Sequence, residues 1–155
     1  MGLPEGYTQV DYIESNGTQT IDTDIYAASD SEVEIDFACL SNGLSENAIF
    51  GASWAANGFF LLAYQQGGGL RWHSCGASVD VTVDLLQRNT IKCTASSITV
   101  NETSYALSGT GTDEVKKIIL FGVADTKGYS GAKNGICKLY GCKLYKSGIL
   151  SRNYI

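Results

Sequence analysis

Acidic and apolar residues alternate through Glu32-Val33-Glu34-Ile35-Asp36-Phe37-Ala38-Cys39-Leu40. A period of two predicts a strand with Val33, Ile35 and Phe37 turned to a core and Glu32, Glu34 and Asp36 turned to water. The same rhythm recurs along the chain. Short strands are expected over 9–14, 18–25, 70–74, 79–83, 104–107, 117–123 and 135–146, with a last one from 149. A hairpin is expected between 88–95 and 97–100. The run Phe59-Phe60-Leu61-Leu62-Ala63 does not alternate, which predicts a strand buried on both faces. Turns are expected at Ser15-Asn16-Gly17, across Gln65–Gly69, and at Val100-Asn101-Glu102-Thr103, with a single helical turn over 84–89. A long loop is expected over 125–134, and a bulge at Gly141 within the strand that follows. No window carries a helical period long enough for a helix. About a dozen short strands at roughly 12-residue spacing predict an all-β fold, an antiparallel two-sheet jelly-roll sandwich.

The 155 residues suit one domain, 1–155, with a sizeable core. No apolar run approaches the roughly 20 residues that span a bilayer, so no membrane insertion is expected. The opening Met1–Gly6 lacks the basic and apolar regions of a secretion signal, and synthesis in a cytoplasm is expected. The five cysteines (39, 75, 93, 137 and 142) contain no C-x-x-C, and the single histidine is His73. Zinc needs paired ligands at short spacing, so no zinc site is expected. Cys39, Cys93 and Cys142 lie in strand-like runs and read as small buried hydrophobes.

Charge adds a long-range expectation. Residues 1–70 hold ten Asp/Glu and no Lys or Arg, a net −10, whereas 71–155 hold eleven Lys/Arg and six Asp/Glu, a net +5. Halves so opposed attract if adjacent, which predicts that the opening and closing strands are neighbours. The closing lysines are spread along strands rather than clustered with aromatics, so nucleic acid is not the expected partner.

Three stretches carry a family resemblance. The opening from Leu3-Pro4-Glu5-Gly6-Tyr7 through Thr20-Ile21-Asp22-Thr23, the strand Val33–Phe37, and the close from Cys137-Lys138-Leu139-Tyr140-Gly141-Cys142 to Ile155 resemble concanavalin A-like (laminin G-like) jelly-roll domains. Such domains occur in bacteriophage and prophage tail or other virion proteins and in bacterial surface proteins. The resemblance implies adjacent N- and C-terminal strands, a virion or cell-surface location, and other virion or surface subunits as partners. It implies a role in structural assembly, decoration or adhesion and does not itself imply an activity.

Laminarinase-type hydrolases of similar fold carry Glu-x-Asp-x-(x)-Glu on one strand face. Here Glu34 and Asp36 match its first half, but the second Glu falls on Ala38 or Cys39. A reversed Glu32-x-Glu34-x-Asp36 has Cα atoms about 6.5–7 Å apart along the strand, a spacing that does not by itself exclude the carboxyl pair about 5–5.5 Å apart that retaining hydrolysis needs. Alternating acids on a strand usually form a solvated face, so the expectation is no enzyme. Asp22, Asp24, Asp30 and Asp125 offer oxygen ligands for calcium without a calcium-loop signature, and no cofactor is expected. The alternative to a structural role is a lectin-like carbohydrate-binding domain recognising a cell-surface glycan. Aromatic platforms and planar polar groups serve that purpose, and Trp54, Tyr64, Gln66, Trp72 and His73 are the candidates. Trp72 has a second reading, as core. Sheet edges left open in a sandwich are a pairing hazard, which points to a homo-oligomer or a docked partner.

Overall fold

The alternation in 32–37 is realised in the computed structural model, which describes residues 10–41, 47–53, 59–65, 68–109, 116–124 and 133–154. The opening strands are β1 (Ile13–Asn16), β2 (Ile21–Tyr26) and β3 (Ser31–Cys39), followed by β4 (Asn47–Ser53) and β5 (Phe59–Tyr64). Next come β6 (Leu70–Ser74), β7 (Ala77–Val81), β8 (Asn89–Thr94), β9 (Ser97–Val100) and β10 (Thr103–Ala106). The chain closes with β11 (Lys117–Leu120), β12 (Lys133–Asn134), β13 (Ile136–Lys146) and β14 (Ile149–Tyr154). One sheet runs β1-β13-β3-β8-β9-β10, with β14 also on β13; the other runs β2-β11-β4-β5-β6-β7, with β12 on β4. Among the described residues every pairing is antiparallel except the short β12–β4 contact. The two sheets stack as a jelly-roll type sandwich.

The opening and closing strands pair directly, Ile13 opposite Leu139 and Asn16 opposite Ile136. Ion pairs follow the charge asymmetry. Lys138 approaches Glu14 at 3.9 Å, Lys146 meets Asp30 at 2.9 Å, and Lys117 lies 3.2 Å from Asp22 and 2.9 Å from Asp24. β2 bulges opposite β11, and Asp24 there takes a positive φ of 58°. The bulge is held by the Thr23 hydroxyl, which donates to the Ile118 carbonyl at 2.7 Å and accepts from the Ile25 amide.

Between the sheets, Val33, Ile35 and Phe37 of β3 and Leu139 and Leu144 of β13 meet Phe50, Phe60, Leu62, Leu70 and Trp72. β5 is buried on both faces as its sequence predicts. Phe60 and Leu62 join this core, while Leu61 and Ala63 join a second cluster with Ala48 and Val123 on the far side of the sheet.

Some boundaries differ from the sequence reading. β1 begins at Ile13 and runs through Asn16, because the Asn16 amide is satisfied by Gln19 and its side chain caps Thr18, which moves the turn to Gly17 and Thr18. Residues 84–89 make a single turn, with the Gln87 amide on the Asp84 carbonyl, and no helix. Most of the 125–134 loop lies outside the described residues.

Candidate functional site

The site is built on the outer face of the first sheet. Side chains pointing away from the core line up in a row across six strands: Ser104, Thr99, Lys92, Glu34, Lys143 and Asn153 are successive cross-strand partners from β10 to β14. Along this row runs a groove of about 410 Å³, whose polar lining includes Glu34, Asp36, Thr90, Lys92, Thr99 and Asn153. The bulge in β13 falls between Leu139 and Gly141. It sets Tyr140 and Gly141 side by side on the outer face, and Gly141 forms part of the groove floor. A Cβ built on Gly141 would meet nothing within 4 Å.

All three carboxylates of β3 face the groove side, as predicted, and each is met by a neighbour. Lys92 of β8 lies 2.6 Å from Glu32 and 3.6 Å from Glu34. The Tyr145 hydroxyl donates to Glu34 at 3.1 Å. Arg88 grips Asp36 with two parallel bonds, Nε to Oδ1 at 2.8 Å and Nη2 to Oδ2 at 2.6 Å, the fork geometry that suits a carboxylate. The hydrogen bond to Glu32 holds the Lys92 ammonium above its ordinary range, and the bond to Asp36 does the same for Arg88. Lys143 and Glu102 reach the groove with no ion-pair partner among the described residues.

Glu102 is positioned by an amide lock. Buried Asn89 donates to the Asp84 and Gln87 carbonyls and accepts from Asn101, whose own side-chain oxygen accepts from the Thr90 amide. Asn101 and Glu102 take positive φ values of 45° and 73°, the two-residue turn whose twist matches a hairpin. At the other end, the Arg88 guanidinium stacks 4.4 Å over Tyr140, which packs edge-on against Tyr12 at 5.8 Å. Lys138 sits 4.2 Å over Tyr12. Sequence reasoning missed Tyr12 and Tyr140 as a pair. The bulge at Gly141 was legible, but the β1–β13 register that joins the two rings was not.

The described glycan candidates, Tyr64, Trp72 and His73, do not form one site. Trp72 is fully buried, with its Nε1 donating across the sandwich to the Thr94 carbonyl at 3.1 Å and its ring 5.0 Å from Phe60. Alternation sends it inward with Leu70 and Ser74, so the core reading holds and the platform reading is corrected. Tyr64 is also inside, donating to the Ile136 carbonyl at 3.3 Å, and burial pushes its phenol well up. His73 lies on the outer face of the opposite sheet, away from the groove. Burial, aided by the Arg71 charge, pulls its pKa down to about 4. Arg71 pairs with Asp80 directly across the β6–β7 hairpin at 2.6 Å. Trp54 and Gln66 lie outside the described residues.

Of the calcium candidates, Asp22 and Asp24 enclose Lys117, and Asp30 is taken up by Lys146 and the Ser147 hydroxyl. Asp125 lies outside the described residues. Neither the models of known protein families nor the curated proteins give a match to this chain.

Proposed function

We propose that this domain is a non-catalytic module for assembly, decoration or adhesion on a virion or cell surface, with the outer face of the β3-centred sheet as its contact surface. The observation that carries the reading is the pairing of the β3 carboxylates. A retaining hydrolase needs one carboxylate free as nucleophile and another that can hold and release a proton. Here Glu32 and Asp36 are each gripped by a cation at 2.6 Å, and Glu34 is held by Lys92 and Tyr145. Such a face is held in place by ion pairs, which suits contact rather than turnover. Size in solution tests the assembly role. A stable oligomer, three-fold in the tail-fibre case, is the expected result, and a strict monomer at all concentrations counts against it.

The groove favours a second reading, carbohydrate binding. Its hydroxyl, amide, ammonium and carboxylate groups suit the hydroxyls of a saccharide, and the open floor at Gly141 leaves room for a ring. A glycan array probed with wild type and Gly141→Trp tests this. Saturable binding that Gly141→Trp abolishes, without change in the thermal midpoint, supports it. Binding untouched by that substitution moves the ligand elsewhere.

A further inference from the structure

We propose that Cys39 and Cys137 are a latent cross-strand disulfide, formed when the domain folds, or its strands open, in the presence of a disulfide oxidant such as oxidised glutathione. The two residues face each other directly in the β3–β13 pairing, and both thiols are free and buried. The type of pairing matters. The Leu40 amide donates to the Ile136 carbonyl, so the next pair along is the hydrogen-bonded one. The Cys39 amide instead points to the other side, donating to Leu85 at 2.7 Å. Cys39 and Cys137 are therefore a non-hydrogen-bonded pair, in which Cα atoms approach to about 4.5 Å and side chains come closest. A disulfide needs a Cα separation of roughly 4.4–6.8 Å.

No other described pair meets the condition. Cys93 on β8 and Cys142 on β13 have β3 between them. Two strand spacings of about 4.8 Å put them beyond bridging distance. Cys75 sits in the β6–β7 turn of the opposite sheet.

In the step itself, the thiolate of Cys39, the less buried of the two, attacks oxidised glutathione. The glutathione S–S bond breaks, a mixed disulfide forms and one reduced glutathione leaves. The Cys137 thiolate then attacks the Cys39 sulfur, forming the protein S–S bond and releasing a second reduced glutathione. Two protein thiols are oxidised, one glutathione disulfide is reduced, and the two thiol protons end on the two glutathione thiolates. Burial pushes Cys39 up to about 11 and Cys137 up to about 12, which makes the reaction slow in the closed fold and places it during folding or strand opening.

The full chain is unfolded in urea with reductant, refolded in mixed oxidised and reduced glutathione, alkylated, and mapped by peptide mass spectrometry. The expected product has one link, Cys39 to Cys137, and alkylated Cys75, Cys93 and Cys142. Its thermal midpoint rises by about 10 °C, as closure of a loop of nearly a hundred residues implies. Cys75→Ser keeps the link. The wild-type map decides the matter even if Cys39→Ala does not fold. Five alkylated thiols, a link through Cys75, or a scrambled set of pairs would overturn the proposal.

Discussion

Replacing Trp72 with Phe isolates the contact on which the two sheets close. Trp72 is fully buried, tilted against Phe50 at 5.8 Å and edge-on to Phe60 at 5.0 Å, and its Nε1 reaches the Thr94 carbonyl on the facing sheet at 3.1 Å. Phenyl keeps most of the ring and loses two carbons and the donor. Burial of each carbon is worth about 0.8 kcal/mol, and the hydrogen bond about 1 kcal/mol. The expected destabilisation is about 2.5 kcal/mol, a fall of nearly two orders of magnitude in the folded-to-unfolded ratio. Urea unfolding followed by circular dichroism reads it. With a slope near 2 kcal/mol per molar, the midpoint drops by about 1.2 M while the slope stays unchanged. A drop under about 0.4 M would refute the reasoning, because it would mean that the indole is not packed between the sheets.

Three more outcomes follow from the same contacts. His73 stays neutral in the fold down to about pH 4, while the unfolded chain takes up its proton near 6.5. The unfolded state therefore binds more protons in that window, so stability is full above 6.5 and falls as pH drops towards 4; His73→Gln, read by urea unfolding across the window, removes up to one proton of slope. Asp36→Asn breaks the fork between half-buried Asp36 and exposed Arg88, and only a small fall in the thermal midpoint is expected, checked by thermal unfolding. Gly51→Ala puts a Cβ at 2.7 Å from Leu61 Cδ1 and 2.8 Å from Val123 Cγ1. Overpacking of this kind costs about 1–3 kcal/mol in the same assay.

Legibility in the sequence tracked how local each signal was. The β3 alternation, the doubly buried β5 and the bulge at Gly141 need only neighbouring residues, and all three appear as read. The pairing of opening with closing strands was legible because charge carries long-range information that hydropathy lacks, as Lys138 with Glu14 and Lys146 with Asp30 illustrate. The candidate site was less legible. Alternation puts Trp72 and His73 on opposite faces but does not say which face is inside; that depends on Phe50 and Phe60, more than ten residues earlier. The Tyr12–Tyr140 pair and the six-strand polar row depend on cross-strand register, which no local pattern encodes. The same is true of Cys39 and Cys137, where the hydrogen-bonding phase of the ladder decides what two cysteines can do.

In the proposed function the β3 carboxylates form a contact face and not a reaction centre. Incubation of the intact protein with mixed β-glucans, followed by measurement of reducing ends, tests this most directly. Wild type and Glu34→Gln are expected to release none above the buffer blank. Release by wild type that disappears in Glu34→Gln would contradict the account.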